Sequence, residues 1–205
     1  MSTHDLSTLV PGFDHEALGS QAVFRAALHA LAHPGRPIDM PMGAAAPQSG
    51  HMAAAVLLLG LLDADNRLWL SASLARSDAA GWLRFHTGCS LVSNPQEADF
   101  CWCAQGDSWP ALATLAQGSD DWPERSVTCV LEVDRLLADG SGWSLQGPGI
   151  QGTQRLLVKG LPADFGAQWQ HNHSLFPRGV DVLLATATQI AGLPRTTQLV
   201  PAKEV

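Results

Sequence analysis

The stretch AAAVLLLGLL, residues 53–62, constrains the fold more than any other feature of this sequence. It is the longest apolar run, and it covers about half of the roughly 20 residues that a membrane crossing needs. It therefore reads as a helix buried in a globular core. The composition fits a core around it: 46% of residues are apolar and 15% charged, the balance of a folded chain. A chain of 205 residues suffices for one domain, residues 1–205, with an ordered part expected over about 14–200.

Charge narrows the partners. The formal net charge is −7, against the clustered basic field that nucleic acid requires, and no membrane segment is visible. Lys159 and Lys203 are the only lysines, so a polyanion site would rest on arginines, histidines, hydroxyls and backbone N–H groups. The opening MSTHDLSTLVPGF lacks a charged segment followed by an apolar one, so no secretory signal is expected. The expected location is cytoplasmic, with Cys89, Cys101, Cys103 and Cys129 as reduced thiols.

Helix signals come mainly early and strand signals mainly late. From Asp14 to His33, Leu18, Phe24, Leu28 and Leu31 recur at helical spacing, with Asp14 as N-cap and Pro34-Gly35 as the stop. Ile38 and Met40 suggest a short strand. Ser49 is the expected cap of a helix over 51–62, and Leu68 to Leu70 reads as a strand. Ser77-Asp78 opens a helix that carries Trp82 and Phe85 into the core and stops at Thr87-Gly88. Strands are expected around 90–92 and 100–103. Ser108-Trp109-Pro110 has the cap-then-proline form of a helix start, running to about Gly118. Strands at 127–133, 143–146 and 154–158, a helix at 162–171 and a strand at 180–185 complete the series. This order predicts an α/β fold, a mixed sheet with packed helices.

Several motifs carry candidate chemistry. In RFHTGCSLVS, residues 84–93, Arg84, His86 and Thr87 have the chemistry of an oxyanion site, and also that of a helix C-terminus with its cap, the commoner arrangement. FPRGVDVLL, residues 176–184, sets Arg178 at a proline–glycine corner ahead of Asp181, where it either grips an anion or lies in a solvated turn. LPRTT, residues 193–197, joins Arg195 to Thr196, as a phosphate grip or an exposed edge strand. His86 with Cys89, Cys101 with Cys103, and His171 with His173 are metal-ligand types without a paired C-x-x-C or an H-E-x-x-H. Cys101 and Cys103 also fit ordinary core thiols with Trp102 on the opposite strand face. His29 and His33 fit helix-end packing. GPGIQG, residues 147–152, matches neither nucleotide-binding glycine pattern and reads as a tight turn. Seven tryptophans are many for this length. Among Trp102, Trp109 and Trp122, Trp109 is the expected dimer contact.

Taken in order, Phe24 to Gly35, Trp69 to Ser71, Leu83 to Gly88, Gly147 to Ile150, Phe176 to Asp181 and Pro194 to Thr197 resemble one family. It is the H subunit of the bacterial carbon–phosphorus lyase core complex, PhnH, and the resemblance spans about residues 20–198. It implies a fold like the large domain of pyridoxal-phosphate-dependent transferases without the cofactor or its lysine; from the ligand spacings above, no metal is expected. It also implies a homodimer that joins the G, I and J subunits in organophosphonate catabolism. The step supported is transfer of a phosphonate to the ribose C1 of MgATP with release of adenine, MgATP being a substrate of the complex. Arg84, His86, Thr87, Arg178, Asp181, Arg195 and Thr196 lie in matched segments as anion-binding or interface candidates, with no catalytic residue assigned. Two other readings remain open: a pyridoxal-phosphate enzyme using Lys159, and a small metal-binding module built on His86, Cys89 and the His171/His173 pair.

Overall fold

The computed structural model describes residues 10–41, 43–138 and 142–200. Its α-helices are α1 (Glu16–Ala32), α2 (Met52–Leu61), α3 (Ala72–Ala75), α4 (Asp78–Thr87) and α5 (Phe165–Ser174). The larger sheet holds β1 (Ile38–Asp39), β2 (Arg67–Leu70), β3 (Ser90–Leu91), β4 (Phe100–Cys103), β5 (Thr128–Glu132), β9 (Asp181–Ala185) and β10 (Gln189–Leu193). The smaller holds β6 (Arg135–Leu137), β7 (Trp143–Gln146), β8 (Gln154–Lys159) and β11 (Gln198–Val200). The expected mixed α/β architecture is present.

In the larger sheet the order is β1-β10-β9-β5-β4-β2-β3. Strands β3, β2, β4, β5 and β9 run parallel, β10 pairs antiparallel with β9, and β1 pairs antiparallel with β10. Both faces are covered, as a parallel sheet demands. Along β4 the side chains alternate: Trp102 turns to the core of α1, α2 and α4, while Cys101 and Cys103 turn to the core of α5 and the smaller sheet. The cysteines are therefore buried core thiols, beside Cys129 on the neighbouring strand.

The 53–62 run forms the centre of α2, where residues 53 to 59 are all buried between α1, α4 and the sheet. Helix α1 behaves differently. Val23, Ala27 and Ala30 face the core, whereas Leu18, Phe24 and Leu28, which carry the helical spacing, are exposed. Small residues are needed inward because α1 lies close on β10: a Cβ added to Gly192 would stand 2.4 Å from the Ala30 carbonyl oxygen. Phe85 is likewise 57% exposed, so α4 sends Trp82 and not Phe85 into the core.

Other boundaries move. The N-caps of α1 and α2 are His15 and His51, not Asp14 and Ser49, and neither side chain caps. Ser77 does cap α4 by accepting from the Ala79 N–H, and Gly88 ends it in the left-handed conformation. No α-helix forms over 110–118, where a single 3-10 turn spans Leu112–Thr114. There the Gln168 side chain accepts from the Leu112 N–H, and the Gln117 amide donates to the Leu112 and Leu115 carbonyls, in place of helical partners. LPRTT is not an edge strand: Leu193 closes β10 and 194–197 turn back into β11. GPGIQG is the turn between β7 and β8.

Candidate functional site

In an open α/β sheet, ligands bind beyond the carboxyl ends of the strands, where neighbouring connections leave toward opposite faces. Here that point lies between β2 and β4. The chain leaves β2 toward α4 on one face, and leaves β4 toward Leu112 and Leu115 on the other. Ser71, fully buried just after β2, accepts at Oγ from the Ala104 N–H at 3.0 Å. Asp107 accepts from the Ser73 N–H and hydroxyl at 2.8 and 2.7 Å. A hydrogen bond from Ser71, then those from Ser73, hold the Asp107 carboxyl below its ordinary range.

Glu132, the last residue of β5, is 2% exposed. Its Oε1 accepts from the His51 N–H at 2.5 Å and from the Trp102 indole at 2.9 Å, and its Oε2 from the Gln105 N–H at 3.1 Å. A buried carboxylate needs such donors, because an unpaired charge there is costly. Asp78 adds two anchors, accepting from the N–H groups of Gln48 and Ser49. The segment before α2 is thus strapped over the strand ends by Asp78 and Glu132. The crevice is acidic, and its carboxylates already serve backbone and hydroxyl donors. That chemistry organises loops, and Arg76 adds a cation near Asp107. The signal for Glu132 in the sequence was a lone charge inside the apolar run TCVLEV, residues 128–133.

The residues singled out from the sequence lie elsewhere, in two separate groups. Arg84, His86 and Thr87 close α4. Arg84 is exposed, the His86 Nε2 lies 3.0 Å from the Val10 carbonyl, and the Thr87 hydroxyl donates to Leu83 O and accepts from the Cys89 N–H. This is the geometry of a capped helix end.

Arg178, Asp181, Arg195 and Thr196 gather where β9 begins and β10 ends. Arg195 donates through Nε and Nη2 to Asp181, through Nη2 to the Ser126 hydroxyl, and through Nη1 to the carbonyls of Pro123 and Pro177. A guanidinium has five N–H groups, and each of these has a protein acceptor, so none is left to grip an anion. The ion pair is 2.6 Å long with side chains only 12% and 24% exposed. Arg178, at the corner, meets Asp120 at 3.2 Å with both side chains well exposed. The corner is a turn held by Asn172, which bonds both the N–H and the carbonyl of Val180. Thr196 is half-buried in the turn beside it.

Among the described residues no group of three or more His, Cys, Asp or Glu is placed to hold a metal ion. His171 and His173, two apart on a helix, face different ways: His173 bonds the Arg195 carbonyl while His171 is exposed. Cys89 is buried, and burial pushes its thiol up. Lys159 ends β8 exposed, opposite Arg135, without the desolvation that activates a Schiff-base lysine. Of the three tryptophans, Trp102 is fully buried and Trp122 is 53% exposed. Trp109 is half-buried against Phe165, lining a groove with Asp107, Pro162 and Gln168. Among the described residues no helix is long and apolar enough to cross a membrane.

Comparison with known proteins gives a consistent result. The family described as bacterial phosphonate metabolism protein (PhnH) matches residues 11–200, which takes in both sheets. The alpha-D-ribose 1-methylphosphonate 5-triphosphate synthase subunit PhnH of Rhizobium meliloti (strain 1021) is 36% identical over 180 residues, covering 88% of this chain and 90% of its own. HtxG of Stutzerimonas stutzeri, whose name associates it with C-P lyase as a subunit protein, is 30% identical over 184 residues, covering 90% and 87%.

Proposed function

Because the chain belongs to the PhnH family of bacterial phosphonate metabolism proteins, we propose that it acts as a subunit of a carbon–phosphorus lyase assembly. In this role it supports transfer of a phosphonate to the ribose C1 of MgATP with release of adenine, and it does not catalyse that step alone. The observation that carries the reading is the family match over residues 11–200, together with relatives that are named as subunits. The Arg195 cluster agrees with it. Substitution at an anomeric carbon between two anions calls for free cationic or hydrogen-bonding groups around the reacting centre. In the Arg195 cluster the guanidinium is instead occupied by the fold, and in the other cluster Arg84 stands exposed at a helix C-terminus, where a cation offsets the dipole.

The reading includes a cytoplasmic homodimer, with Trp109 as the contact, joined by the G, I and J subunits. The groove beside half-buried Trp109 supports that contact. It also includes a fold like the large domain of pyridoxal-phosphate-dependent transferases with no cofactor, for which the mixed seven-stranded sheet is the support. The test is coexpression of the tagged chain with the other synthase subunits. Recovery of those subunits in fixed proportion is expected. Recovery of the chain alone, folded and soluble, would set the reading aside.

A further inference from the structure

Helix α1 is apolar on both sides, and only one side is covered. Inward it packs Val23, Ala27 and Ala30 on α2 and β10. Outward, Leu18 is 67%, Phe24 50% and Leu28 51% exposed. At 100° per residue these three fall within one continuous arc that also holds exposed Gln21, Ala22, Arg25 and His29. A surface helix ordinarily turns a polar face to water, and a helix apolar all round is buried. This one stands half-finished in the isolated chain. Three large apolar side chains on one exposed helix face form the kind of patch that marks an interaction site.

The charges say what covers it. Between Glu16 and Asp39 there is no carboxylate, and the formal charges are Arg25 and Arg36, in a chain whose net charge is −7. Leu18 and Ala22 also wall a recess of about 260 Å³, together with Phe13, Asp14 and Pro41, where an apolar anchor fits beside the helix. A second copy meeting this face through a two-fold axis would set Arg25 against Arg25 across an apolar centre with no carboxylate from either helix face. We propose that the outward face of α1 docks another subunit of the assembly, through an apolar surface of that subunit rimmed by carboxylates. This rests on the subunit reading above and adds the surface and the chemistry of its partner.

The test uses three forms of the tagged full chain, each coexpressed with the remaining synthase subunits: wild type, Phe24→Glu with Leu28→Glu, and Arg25→Glu. Wild type is expected to recover the subunits. The double variant should lose recovery by at least about ten-fold, as removal of an apolar anchor pair does. Arg25→Glu should weaken it by a smaller factor that grows at low salt. Melting temperature and oligomeric state of each chain alone should match wild type, since all three residues are exposed. Undiminished recovery by the double variant would overturn the proposal. So would a change in the chain's own oligomeric state, which would assign the face to a second copy. If wild type itself recovers nothing, the subunit reading fails and the docking surface with it. Should the double variant not fold, oxidative footprinting of the wild-type complex reads the same face: protection of Phe24 and Leu28 supports docking, and unchanged labelling overturns it.

Discussion

Arg195 ties three pieces of chain together with one planar group: the start of β9 through Asp181, the loop at 123–126, and the 176–178 corner. Arg195→Ala leaves Asp181 half-buried without its partner and frees two carbonyls from their donor. The expected loss is on the order of 3–5 kcal/mol, the range for breaking a buried ion pair from one side. Arg195→Lys should not restore it, because a point ammonium lacks the planar fork that reaches all these acceptors. Urea unfolding of both variants checks this. Asp107 gives a prediction in pH. Its folded pKa is depressed by the bonds from Ser71 and Ser73, so its contribution is fully present above the unfolded value, about 3.9, and is lost as pH falls through the folded one. The difference in urea midpoint between wild type and Asp107→Asn should therefore be present at neutral pH and close as the pH drops below about 4. A difference that stays constant into acid would mean that the carboxylate charge is not what the serines hold.

At the scale of elements, the close approach of α1 to β10 depends on Gly192. Gly192→Ala has no backbone-angle penalty in a strand, yet its Cβ would meet the Ala30 carbonyl at 2.4 Å. The helix must shift, and overpacking of this kind costs about 1–3 kcal/mol. Hydrogen exchange should show faster opening of α1 in the variant than of β4 or β5. The same contact explains what the sequence made legible. The buried α2, the strands β2, β4, β5, β7, β8 and β9, and the Ser77 and Gly88 ends of α4 follow from local pattern. The side of α1 that faces inward does not, since helical spacing is satisfied by Leu18, Phe24 and Leu28 as well as by Val23, Ala27 and Ala30. Only the small residue on the opposing strand decides between them. In place of the helix expected after Trp109, the Gln117 side chain bonds carbonyls within the same segment and Gln168, which lies far outside the window that a local pattern reads, takes the Leu112 N–H. The Arg195 cluster was legible as residues but not as a site, because its partners Pro123, Ser126 and Pro177 are distant in sequence.

For the whole molecule, three layers leave an acidic protein whose organised charges look inward, toward its own loops, while apolar groups remain outside. That distribution suits a component of an assembly. The chain's self-association is expected to depend on Trp109, half-buried at the groove beside Phe165. Trp109→Ala should run as a folded monomer where wild type runs as a dimer in light scattering, and an unchanged dimer would remove Trp109 from that interface. The central claim, that the chain acts within the synthase and not by itself, is tested most directly by titrating it into the remaining subunits with MgATP and methylphosphonate while measuring released adenine. Release should be absent with the chain alone, negligible with the other subunits alone, and should rise with added chain until it saturates at a fixed molar ratio. Full release without the chain, or release by the chain alone, would contradict the account.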